Sequence, residues 1–246
     1  AHLSAYHNLF AHCISRNPRF NGARLGAKEE LVDFQNNVVY NWQNKAIYGG
    51  EFGKYNIVNN YFKPGPSTKP SAANNFLDPS KTDVLPYGQY FVVGNMIEGN
   101  KGVNRDNMMG VTTIPVPGVY INQPHAVIDL PKEAADMAYQ SIIKKVGASF
   151  QRDDMDDRII REMLSGKGKI IDVQGGFPHR TAYEQSKGAW PVLKATTSLP
   201  DTDADGMPDE WERSNGLNPN DFSDAANLKI HPYFTNIEVY LNSLLK

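Results

Sequence analysis

The chain has 246 residues, room for one or two domains of ordinary size. With 40% hydrophobic residues it can fill a core, yet no apolar run approaches the roughly 20 residues of a membrane-spanning helix, which excludes an integral helical membrane protein. A formal net charge of −2 argues against a protein built for non-specific nucleic-acid binding, and a single cysteine, Cys13, excludes an intrachain disulfide framework.

Ala1 leads straight into the apolar Leu3, Ala5, Leu9 and Phe10. So abrupt an entry predicts the C-terminal part of a longer polypeptide, its preceding coils carried by a second chain or fragment. A mature N-terminus left by signal removal is the alternative. A loose repeat then runs through the first hundred residues. Tyr6-His7-Asn8-Leu9-Phe10 returns as Gln35-Asn36-Asn37-Val38-Val39, as Val58-Asn59-Asn60-Tyr61-Phe62 and as Val93-Gly94-Asn95-Met96-Ile97. Aligned on the asparagines, the spacings are 29, 23 and 35 residues. Each copy reads as strand, Asn, strand, and self-similarity at this period predicts a solenoid whose units bury apolar faces against their neighbours. Asn tolerates a left-handed bend, and its amide can bond the amide of the next coil. That suits a parallel β-helix, with loops of unequal length between constant strands. Hairpins of a β-sandwich, whose turns also favour Asn, are the competing reading.

From 63 to 89, Pro64-Gly65-Pro66-Ser67-Thr68-Lys69-Pro70 and Asp78-Pro79 predict a long loop. The stretch Ile114-Pro115-Val116-Pro117-Gly118 allows at most an edge strand. Helical spacing then appears over Glu133–Val146, stopped by Gly147, and over Asp153–Leu164, with acidic residues in its first turn and Gly166 after its end. These two helices are expected to cover the solenoid as a lid or end piece. The run Ile237, Val239, Tyr240, Leu241, Leu244 and Leu245 predicts a C-terminal helix. The expected organisation is β-helix coils over 1–130, a helical segment over 131–199, and a tail over 200–246.

That tail holds the sharpest local pattern, Asp201-Thr202-Asp203-Ala204-Asp205-Gly206-Met207-Pro208-Asp209-Glu210-Trp211-Glu212. It fits a twelve-residue calcium loop. Oxygens of Asp201, Asp203, Asp205 and Asp209, the Met207 carbonyl and both oxygens of Glu212 would converge on Ca2+, with Gly206 making the sharp turn. No helix enters, so this is half of an EF-hand, with a structural role. A solvated acidic turn is the bland alternative.

A second pattern, His12-Cys13-Ile14-Ser15-Arg16-Asn17-Pro18-Arg19, sets two arginines around a proline. Guanidinium groups grip carboxylates in bidentate fashion, which suits an acidic ligand. With Asn8-Leu9-Phe10 eight residues before the first Arg, this stretch resembles the pectate lyases of polysaccharide lyase family 1, in particular secreted bacterial ones. Residues 4–20 and 201–245 carry the most specific likeness. The resemblance implies an all-β solenoid, a right-handed parallel β-helix with a few C-terminal helices. It also implies β-elimination of polygalacturonate or pectin, with Ca2+ as cofactor and a secreted, periplasmic or cell-surface location.

Carried over residue by residue, Arg16 matches the family's catalytic arginine, which removes the proton on C5 beside the uronate carboxylate. A guanidinium is a poor base unless neighbouring cations favour its neutral form. Bound Ca2+ would also acidify that proton. Arg19 would hold a substrate carboxylate. The family's further Arg, five residues on, is Asn21 here, so Arg24 is the candidate substitute. The acidic ligands of the catalytic Ca2+ lie upstream of the arginine in the family, before Ala1 in this numbering. The loop at Asp201–Glu212 is not that site. His12 is placed with the substrate-binding residues, against a loop or core role for it and His7. Tyr48, Phe52, Tyr55 and Tyr61 are expected in a stacked core, and Cys13 as a buried apolar residue. Two other readings stand beside the lyase: a non-catalytic pectin-binding module, and a glycoside hydrolase needing a carboxylate pair, for which Asp33, Glu29 and Glu30 are the unpaired candidates.

Overall fold

The structure, a computed structural model, describes residues 2–26, 30–113, 116–192 and 197–244. Its strands come in coils. The first holds β1 (His2–Tyr6), β2 (Leu9–Ala11) and β3 (Arg19–Phe20); the second β4 (Leu31–Gln35), β5 (Val38–Tyr40) and β6 (Ile47–Gly49). The third holds β7 (Lys54–Val58), β8 (Tyr61–Lys63) and β9 (Leu77–Pro79), and the fourth β10 (Gln89–Val93) and β11 (Met96–Ile97). Each coil lays one strand on each of up to three sheets, ordered β1-β4-β7-β10, β2-β5-β8-β11 and β3-β6-β9, and every pairing within them is parallel. This arrangement fits a β-helix. Strands of two or three residues in the third sheet are too short to show a period. The sequence repeat therefore reveals only two strands per coil, and β9 lies inside the predicted 63–89 loop.

The bend between the first two strands is made by the residue before the repeated Asn, not by that Asn itself. His7, Asn36, Asn59 and Gly94 have φ of 56°, 54°, 52° and 70°. This frees the next side chain for the ladder. Asn37 Oδ1 accepts from Asn8 N and Nδ2, both at 2.9 Å. Asn60 Oδ1 accepts from Asn37 N (2.9 Å) and Nδ2 (3.1 Å), and Asn95 Oδ1 from Asn60 N (3.0 Å) and Nδ2 (2.9 Å). Asn107, in a 3-10 turn after α1 (Lys101–Arg105), closes the row: its Oδ1 accepts from Asn95 N at 2.8 Å. Asn37, Asn60 and Asn95 are fully buried, so each amide must find partners inside the protein, and the identical amide one coil along supplies them.

Aromatic rings stack along the interior. Phe20 lies 4.4 Å from Tyr55, and Tyr55 lies 5.0 Å from Tyr90. Tyr55 thus sits in the predicted core, whereas Phe52 is exposed and Tyr48 lies outside the core cluster. The middle sheet is apolar on both faces. Val39 and Phe62 point inward; Val38 and Tyr40 point outward, beneath Ile142 of α2 (Ala135–Lys145) and Met163 of α3 (Asp154–Ser165). The predicted helices thus sit within two residues of their expected bounds, and they cover the outer face of a sheet rather than an end.

Residues 1–147 with 154–191, including α4 (Tyr183–Ser186), form one compact unit; 148–153 with 192–246 form a second. The second contains α5 (Asp209–Ser214) and α6 (Asn236–Ser243). Thr235 N donates to Glu238 Oε2 at 2.7 Å at the start of α6, and the Tyr240 ring packs on Trp211 at 5.1 Å. Glu29, Ile114, Pro115 and Leu245, named in the sequence reading, lie outside the described residues. No helix among the described residues is long and apolar enough to cross a membrane.

Candidate functional site

The third sheet presents a charged outer row. Register pairs Arg19 with Tyr48 and Tyr48 with Asp78, so these three side chains share one face, while Phe20 and Ile47 face the core. A close approach of the two chains is needed here, and Gly49, at φ 99°, allows it: a Cβ at this position would lie 2.2 Å from the Phe20 carbonyl oxygen. Arg16 is exposed and holds φ of 68°, a left-handed conformation that is costly for a residue with a Cβ. Three cations then gather on one ring. The Cζ atoms of Arg16 and Arg19 and Lys45 Nζ lie 5.8, 4.9 and 5.5 Å from the Tyr48 centroid.

The carboxylates beside them are engaged, apart from one buried oxygen of Glu51. Asp78 bonds Lys45 and Thr112. Glu51, 3% exposed, takes Arg19 Nη2 at 3.2 Å and Ser80 Oγ at 2.8 Å. Lys45 carried no sequence signal of its own, and Tyr48, expected in the core, stands on this outer face instead; a parallel bridge between Ser15 and Lys45 brings Lys45 alongside, one coil further on.

The other candidates are placed elsewhere. Arg24 is exposed on the turn after β3. His12 faces α3, its Nε2 2.9 Å from Glu162 Oε2 and its Nδ1 2.9 Å from Asn41 Nδ2. His7 stacks on Tyr6 and faces Glu133 at 3.6 Å. Cys13 is half-buried, its Sγ 3.4 Å from the Ala11 carbonyl. Asp33 is 1% exposed, and Glu30, which bonds the Tyr55 hydroxyl and Gly22 N, lines a cavity of 550 Å³ whose lining holds no second carboxylate to make a hydrolytic pair. A cleft of 790 Å³ is lined by Arg158, Glu162, Lys169 and neighbours from 154–191, with none of the Arg16–Tyr48 group. Arg16 and Lys45 are exposed and Arg19 and Tyr48 half-buried, so the cation row lies at the surface.

Burial holds the His12 imidazole below its ordinary 6.5, opposed by Glu162 and reinforced by Arg158; burial does the same to His7, opposed by Glu133. The unfolded chain takes up protons near 6.5 where the folded chain does not. The contribution of the two rings to stability is therefore complete above 6.5 and falls as the pH drops through that value toward the lower folded ones. We expect the Tm of wild type to lose ground to that of His12→Gln between about pH 7.5 and 5.5, a difference in which the other titrating groups cancel. A difference that stays flat, or moves the other way, would contradict this reading of the ring.

In the second unit, carboxylate oxygens of Asp201, Asp203 and Asp205 lie within 4.8 Å of one another, as do those of Asp205, Glu212 and Asp224. Asp209 is turned away. Its Oδ1 accepts from Thr202 N at 2.8 Å, and its Oδ2 from Thr202 Oγ1 (2.9 Å) and Arg213 Nη2 (3.0 Å). Glu212 is fully buried; burial, then the charges of Asp205 and Asp203, push its carboxyl up to about 7. Asp224 was not singled out in the sequence, because it stands 12 residues beyond the end of the loop pattern.

Comparison with known proteins decides the relationship. Probable pectate lyase C of Neosartorya fischeri is 30% identical over 262 residues, taking in 99% of this chain and 53% of that protein. The probable pectate lyase C of Aspergillus fumigatus is 31% identical over 260 residues, with the same coverage. The chain is similar to these probable pectate lyases over nearly its whole length. A third such pectate lyase, from Emericella nidulans, is 27% identical over 258 residues. These three relatives are fungal. The chain spans about half the length of the curated pectate lyases it matches. No family model matches it.

Proposed function

We propose that the chain is the catalytic part of a polysaccharide lyase that cleaves polygalacturonate by β-elimination, with Arg16 as the base. The supporting observation is the cation row, Arg16, Arg19 and Lys45 around Tyr48, at the surface of a parallel-sheet chain similar to probable pectate lyases. In this reading the coils form a right-handed parallel β-helix. The protein works where a plant polymer is met, outside the cell or at its surface.

A polyuronate chain laid along the third sheet would place its carboxylates beside Arg19 and Lys45, which also pair with Glu51 and Asp78. Arg16 takes the proton from C5. The electron pair forms the C4–C5 double bond as the C4–O glycosidic bond breaks, and the leaving oxygen takes up a proton. Ca2+ at the reacting uronate is implied by the resemblance, but both oxygens of Asp78 are engaged and Glu51 offers a single unpartnered oxygen, too few ligands for the ion, so the described residues here do not fit it and no step runs through it. In the second unit the residues do fit. The EF-hand-like loop Asp201–Glu212 would hold a structural Ca2+, which binds carboxylate oxygens there and supplies no chemistry to the reaction.

Incubation with polygalacturonate tests the reading. Ultraviolet absorbance from a 4,5-unsaturated uronide is expected. New reducing ends without that absorbance would mean hydrolysis, and retention of the polymer without product would mean a binding module.

A further inference from the structure

The acidic loop leaves a particular set of oxygens unused. Asp201 Oδ2 accepts from Gly206 N at 3.0 Å, Asp203 Oδ1 from Asp205 N at 3.3 Å and Asp205 Oδ1 from Met207 N at 2.8 Å. Asp224 Oδ2 accepts from Asn218 N at 3.0 Å. In each of these the second oxygen is buried and has no hydrogen-bond partner, and in Glu212 both are so. Glu212 is 0% exposed, and a buried carboxylate without a donor is costly unless a cation meets it. Both oxygens of Asp209, by contrast, are already satisfied.

We propose that Asp224 is a ligand of a single Ca2+, together with Asp201, Asp203, Asp205 and Glu212, and that Asp209 stands outside the shell. The inference rests on reading 201–212 as a calcium loop and changes which residue closes it. The six unpartnered oxygens, one from each Asp and two from Glu212, match the 6–8 that Ca2+ takes. The two carboxylate clusters share Asp205. Ligands on opposite sides of an ion bound at about 2.3–2.6 Å stand about 5 Å apart, so the clusters are two sides of one site rather than two sites. So many carboxylates leave little room for the water that Mg2+ prefers to keep.

The ion then joins segments that the loop pattern alone would leave separate. Asp224 is held by its own carbonyl to Asn236 Nδ2 at 2.8 Å, and Asn236, fully buried, begins α6. Calcium would thereby clasp the loop, the Asn218–Asp224 turn and the C-terminal helix.

Calorimetric titration of the full chain with CaCl2 tests the assignment. One ion per chain is expected. Asp224→Asn keeps the acceptor for Asn218 N and removes only the free oxygen. It should weaken binding by about tenfold or more, as should Glu212→Gln, since affinity in such sites follows the carboxylate count. Asp209→Asn should bind within about threefold of wild type. In EDTA, Asp224→Asn should melt no lower than wild type, because it relieves crowding among carboxylates. A lower Tm there, wild-type affinity in Asp224→Asn, or loss of affinity in Asp209→Asn would overturn the shell while leaving a calcium loop. Two ions per chain would overturn the single site. No binding by wild type would remove the calcium loop itself and this inference with it, without bearing on the lyase reading.

Discussion

Arg16→Lys is expected to cut formation of unsaturated product from polygalacturonate by about 10²–10⁴-fold, the range for loss of a positioned general base. The ammonium keeps the positive charge but is a compact point donor, without the planar fork that can touch C5–H and a carboxylate oxygen together. Arg16→Ala should do the same. Neither change should lower Tm appreciably, since Arg16 is exposed and makes no buried contact that the fold needs. A ring contact at 5.8 Å is the interaction lost in both variants. The measurement is initial rate by product absorbance beside a thermal melt of each variant. Near-wild-type turnover by the lysine variant at neutral pH would rule out a guanidinium-specific role.

Asn60→Ala should destabilise the coils more than any surface change. The Asn60 amide donates to Phe34 O and to Asn95 Oδ1, both at 2.9 Å, and its Oδ1 accepts from the Asn37 backbone and side chain. Alanine strands the Phe34 carbonyl and the Asn37 N–H in a fully buried place. At about 1–3 kcal/mol for each stranded group, the loss is about 3–5 kcal/mol, a large share of a typical total of about 5–15 kcal/mol. Asn60→Asp should be no better, because a buried acceptor would then face the Phe34 carbonyl. Asn8→Ala is the internal control. Asn8 is exposed, so water can replace its amide, and the cost should stay below about 1 kcal/mol. Urea melts of the three variants would decide. Equal losses at positions 8 and 60 would mean that the asparagine row carries no special share of the stability.

The sequence by itself determined what is written in short periods. The asparagine repeat at 29, 23 and 35 residues marks the coils, because a parallel stack needs the same self-bonding residue at the same bend in every turn. The two long helices, expected over Glu133–Val146 and Asp153–Leu164, stand at Ala135–Lys145 and Asp154–Ser165, since their apolar spacing and glycine stops are local. Only the tertiary structure decided the rest. The third sheet is made of strands too short to carry an alternation, and its outer row joins Arg16 to Lys45 and Tyr48 from the next coil. The helices settle on the middle sheet because Val38 and Tyr40 leave its outer face apolar, a fact visible only once Val39 is known to point inward. Asn107 ends the ladder from a 3-10 turn that is no copy of the repeat. Asp224 comes beside Asp205 and Glu212, and Asp209 bonds Thr202 instead, for the same reason: which carboxylates meet is set by where backbone turns return in space, and a spacing pattern records only one way of returning.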